Sequence, residues 1–135
     1  MSSVQPRTSL EEWWDETGRA ELRLILWSAW DPIGRVPRDE YDWYVPRLWA
    51  LLCEHGAALR VPEGYDRLTP AEQDEWAARA NAVADQVALQ LGEWRTDRIG
   101  LPPRPEDDRA VAVKISDWLS PPGLDEFRPA DLFRQ

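Results

Sequence analysis

The string Thr69-Pro70-Ala71-Glu72 constrains this chain more than any other. Thr at the N-cap, Pro at the first helical position and Glu at the third form a helix-start signal. Trp76, Ala80, Val83, Val87, Leu91 and Trp94 then recur every three or four residues. That period is helical and predicts one long helix over about residues 70–91.

The rest of the chain repeats the pattern. Ser9-Leu10-Glu11-Glu12 has capping-box spacing, with Ser9 as the N-cap. Leu10, Trp13, Trp14, Thr17, Ala20, Leu24 and Trp27 follow as one stripe. Gly18 interrupts this segment, costs about 1 kcal/mol relative to Ala, and is expected to divide a short first helix from a second at residues 19–30. Asp31-Pro32 stops it, because Pro restricts the preceding residue and has no N–H to donate. Asp39 or Asp42 is expected to cap the next helix, in which Val45, Leu48, Trp49, Leu52 and His55 share a face. Gly56 suits a left-handed position after its end. Pro102, Pro103 and Pro105 mark a linker. Asp107 or Asp108 is expected to cap a last helix over about 108–119, with Val111, Ile115, Trp118 and Leu119 on one side. The alternation Val111, Val113, Ile115 also fits a strand, but no second strand candidate exists to pair with it.

The expected fold is therefore all-α: a small bundle of about four helices with a Pro-rich C-terminal extension. Residues 1–99 form the bundle. Residues 100–135 form a linker, a short helix and a tail that packs on the bundle or extends from it. Nine Trp residues supply much of the core, since each buries about 150–250 Å².

Composition removes several functions. The net charge is −9, from 25 acids and 16 bases, with Lys114 as the single Lys. Phosphate backbones need a basic footprint, so nucleic acid and anionic membrane surfaces are poor partners. An acidic protein is steered toward basic ones. Cys53 is the single cysteine, which rules out an intrachain disulfide; it lies in an apolar helical pattern and reads as a small buried hydrophobe. No signal sequence or membrane span is evident, so a cytoplasmic address is expected.

No catalytic constellation is complete, and the chain reads as a non-enzyme without a cofactor. His55 is the single histidine, and neither a CxxC nor an HxxxH spacing exists for a metal. Cys53 and His55 are two apart and point to different helix faces. The serines lack a nucleophile-elbow context.

One block remains, Asp39, Glu40, Tyr41, Asp42 and Trp43, followed by Tyr44, which is assigned to the core. Acids at a helix start are stabilised by the helix dipole, by about 0.3–1 kcal/mol. The same residues also make a binding face: Tyr and Trp are common interface anchors, and acidic rims speed capture of basic partners. Ahead of the block lies the turn Trp30, Asp31, Pro32, Ile33, Gly34.

The WDPIG turn followed by the DEYD-x-Y block and a Leu-rich helix resembles a bacterial domain-of-unknown-function family of small helical proteins, over roughly residues 20–92. Some members look like immunity proteins encoded beside secreted toxins. The resemblance implies an all-α fold. This chain differs in its extra Trp residues and in its extension beyond residue 100. The expected function is that of a small acidic cytoplasmic interaction protein, an immunity protein that neutralises a basic bacterial toxin by occlusion. The alternatives are a ligand-binding or regulatory helical domain with a Trp-lined pocket, and an enzyme holding a divalent metal on Asp39, Glu40 and Asp42.

Overall fold

The computed structural model describes residues 9–30, 38–121 and 128–133. They form four helices joined by short 3-10 turns, with no strand among them. Helix α1 runs without a break over residues 10–30. It is α-helical at Leu10–Trp13 and Arg19–Ile25 and π-helical at Trp14–Gly18 and Leu26–Trp30. Helix α2 is Tyr44–His55, α3 is Pro70–Glu93 and α4 is Pro105–Leu119. A third π turn, Trp94–Arg98, prolongs α3.

The start signals act as expected. Glu12 N–H donates to Ser9 Oγ at 3.1 Å. Glu72 N–H donates to Thr69 Oγ1 at 3.2 Å, and Thr69 N–H returns a bond to Glu72 Oε1 at 3.1 Å. The reciprocal pair satisfies two donors that a helix start leaves unpaired.

The π turns explain where the sequence reading of α1 fails. The expected stripe through Ala20, Leu24 and Trp27 is not the buried one: Leu24 is 45% exposed, whereas Leu22 and Leu26 are fully buried. The buried series is Trp14, Gly18, Leu22, Leu26 and Trp30, a spacing of four. In an ideal α-helix of 3.6 residues per turn, that spacing drifts by about 40° at each step. A π turn closes a larger ring through its i to i+5 bond and so takes up the drift. Gly18 belongs to this series. A Cβ there would lie 2.6 Å from the Trp13 ring and 2.9 Å from the Trp14 ring. It is a close-packing glycine rather than a weak point between two helices.

Around α1 the indoles form two clusters. Trp14 stacks on Trp49 at 4.1 Å with 5° between the rings, and Trp13 meets Trp49 and Trp118. Trp30, Tyr41, Tyr44 and Trp94 form the second. The same core holds Leu48 and Leu52 of α2, Val87 and Leu91 of α3, and Ile115 and Leu119 of α4.

The C-terminal region is part of this core. Helix α4 lies along α3 in the most extensive helix–helix contact of the fold. It starts at Pro105, three residues before the expected 108, and neither Asp107 nor Asp108 caps it. The short turn Pro129–Leu132 then brings Ala130 and Phe133 into full burial. Gly56 makes room for Phe133: a Cβ there would lie 3.0 Å from the ring. Its φ is −65°, so it is not the left-handed residue expected from the sequence.

Candidate functional site

The structure breaks the acidic–aromatic block into parts with different surroundings. Arg38–Tyr41 is a 3-10 turn, and α2 begins at Tyr44 with Trp43 in the cap position and no side-chain cap. Neither Asp39 nor Asp42 caps the helix. Tyr41 has no exposed surface and packs against Trp30 at 6.1 Å. A partner cannot touch it, so Tyr41 is withdrawn from the candidate face. Tyr44 is core, as expected. Glu40 and Asp42 are exposed, and Asp42 Oδ1 accepts a bond from Arg23 Nη1 at 3.3 Å. Asp39 sits in the 3-10 turn. In the WDPIG turn Trp30 is buried, while Asp31, Pro32, Ile33 and Gly34 lie outside the described residues.

Trp43 is the aromatic of the block that stays partly at the surface. Two guanidiniums enclose it: Arg98 lies 3.4 Å and Arg47 3.7 Å from the ring centroid. Such contacts are attractive through the ring quadrupole and fix the indole in place. Arg47 also donates to the Trp43 carbonyl at 2.7 Å. Trp94 supports the indole edge-on at 6.0 Å. A shallow depression beside it is bordered by Glu93, Asp97 and Arg98.

A second constellation was not foreseen. Arg95 and Asp108 are 4% and 1% exposed. Arg95 Nη2 donates to Asp108 Oδ1 at 2.7 Å and its Nε to the same oxygen at 3.1 Å. Trp30 Nε1 donates to that oxygen as well, at 3.0 Å. The π turn is what places Arg95 here: it follows the buried Trp94 directly, yet both side chains are turned inward. A cleft of about 580 Å³ opens beside Arg95, bordered by Trp30, Arg95, Leu101, Arg104, Asp107 and Lys114 among others. The signal in the sequence was another series of fours, Val83, Val87, Leu91 and Arg95, matched on α4 by Asp108, Ala112, Ile115 and Leu119, whose spacing alternates between four and three. Charged residues in apolar registers predict burial with a partner, but the pairing across 13 residues needs the fold.

Among the described residues, no three His, Cys, Asp or Glu side chains converge as a metal would require. Cys53 is exposed rather than buried in the core. What burial it has raises its thiol above the ordinary value. His55 Nε2 lies 3.9 Å from Glu54 Oε2 and away from the cleft residues. No described helix is long and apolar enough to cross a membrane.

Comparison with protein-family models, with curated proteins and with solved structures gives no match.

Proposed function

We propose that this chain is a small acidic interaction protein that captures a basic protein, with Trp43 as its anchor. The carrying observation is the Arg47–Trp43–Arg98 stack. A partly exposed indole held in one position loses little freedom on binding, which is what preorganisation contributes to affinity. Trp and Arg are the residue types most enriched among energetic hot spots. Glu93 and Asp97 border the same depression as Arg98, Glu40 and Asp42 lie on the segment leading into Trp43, and the whole chain carries −9. Negative charge sets the encounter rate with a cationic surface, and the anchor sets dissociation. The WDPIG and DEYD-x-Y resemblance contributes the class of partner: a basic bacterial toxin whose cationic site is covered, in the cytoplasm of the producing cell.

The test is capture from a lysate of the native host with wild type, Trp43→Ala and Glu40→Ala/Asp42→Ala. The reading requires a stoichiometric basic protein whose capture weakens with salt. Trp43→Ala should release it faster, and the acid variant should capture it more slowly. Capture that is unchanged in Trp43→Ala would overturn it.

A further inference from the structure

We infer that the cleft beside Arg95 is a binding site for a small organic anion: one carboxylate or phosphate group on a compact apolar body. The site is separate from the proposed partner face, since Glu40, Asp42 and Trp43 do not border it.

Its floor is a charged side chain that is held but not fully used. Asp108 takes Nε and Nη2 of Arg95, whose side chain is 5% exposed. Among the described residues no acceptor takes Nη1, and Arg95 borders the cleft. A planar guanidinium with a free edge is suited to the oxygens of a carboxylate or phosphate. Rotating away would break the bonds to Asp108, so the donor is fixed before a ligand arrives.

The rim adds charge of the same sign. Lys114, the single lysine of an acidic chain, borders the cleft and has no ion pair among the described residues. Arg104 faces it too, paired loosely with Asp107 at 3.5 Å. The cleft thus gathers three cations against the carboxylates of Asp107 on the rim and Asp108 behind Arg95, a balance of one positive charge in a protein whose net charge is −9. Leu101, Pro102 and Val111 supply an apolar wall beside the Trp30 ring, and Asp107 adds one carboxylate to the rim. A volume of about 580 Å³ falls in the range of small-molecule sites. An apolar wall with a few convergent polar groups admits an organic anion better than a bare ion. The indole N–H of Trp30 is committed to Asp108, so it reports on the site without being spent on the ligand.

The experiment is a titration of the full chain with benzoate, phenyl phosphate and neutral benzamide, followed by the NMR signal of the Trp30 indole N–H. At least one of the two anions should shift it saturably, and benzamide should not. The tighter of the two identifies the head group. Replacing the two exposed cations, in Lys114→Gln/Arg104→Gln, should weaken binding about tenfold or more, the equivalent of about 1.4 kcal/mol. Arg67→Gln removes an exposed cation that does not border the cleft and should leave binding unchanged. Three results would overturn the site: no saturable shift with either anion, equal binding of benzamide, or equal loss in Arg67→Gln.

Discussion

Arg95 and Asp108 meet in the interior at 2.7 Å, with side chains 5% and 2% exposed. Each is the other's main compensation for losing water. Removing one partner of such a pair leaves a buried charge and costs about 3–5 kcal/mol. Arg95→Met and Asp108→Leu alone should each lower stability by about that much in urea unfolding. The double variant should be more stable than either single one, because no unpaired charge remains. Additive losses would contradict this.

Gly18 offers a test in which two rules predict opposite signs. By helix propensity, Gly18→Ala gains up to about 1 kcal/mol. By packing it loses, since the new methyl would sit 2.6 Å from the Trp13 ring. Overpacking of this kind costs about 1–3 kcal/mol. We expect a net loss in denaturant melts, together with a change in the near-UV signal of the Trp13–Trp14–Trp49 cluster. A stabilised Gly18→Ala would show that the π turn does not press the indoles onto this glycine.

Acid should weaken the start of α3. The backbone N–H of Thr69, and then its hydroxyl, hold the Glu72 carboxyl below its ordinary value of 4.5. The folded state therefore prefers the charged form. The contribution of Glu72 is fully present above that ordinary value and is lost as pH falls through the lower, folded one. Melting curves of wild type and Glu72→Gln should separate at neutral pH and converge on acidification. A constant difference across that window would contradict the capping geometry.

How much of this was legible depends on the period. Helices α2 and α3 follow ordinary helical spacing, and their inward residues Val45, Leu48, Leu52, Val87 and Leu91 were read correctly. For α1 the sequence predicts helix with a division at Gly18, and its stripe through Leu24 is out of phase with the buried Leu22 and Leu26. Its apolar residues recur every four positions, and only π turns hold that series on one face. The same widening turns Arg95 inward beside Trp94, a burial that ordinary helical spacing does not predict. The sequence offers Asp107 or Asp108 as a cap because Asp favours that position, but the helix starts earlier, at Pro105. Of the acidic–aromatic block, the helical spacing assigns Tyr44 to the core, whereas Tyr41 lies in the turn before the helix, where only the packing of Trp30 shows its burial. The tail was left open between a latch and a free arm. Gly56 decides it by making a seat for Phe133, a contact between residues 77 positions apart in the chain.

Trp43, clamped by Arg47 and Arg98, is proposed to anchor a basic partner. Wild type, Trp43→Ala and Trp43→Phe are to be compared in capture from native-host lysate at low and raised salt, read by dissociation rate. One stoichiometric basic protein is expected, with slower capture at raised salt, much faster release from Trp43→Ala and partial rescue by Trp43→Phe. A basic partner that dissociates equally slowly from all three proteins would contradict it, as would the absence of any salt-sensitive partner.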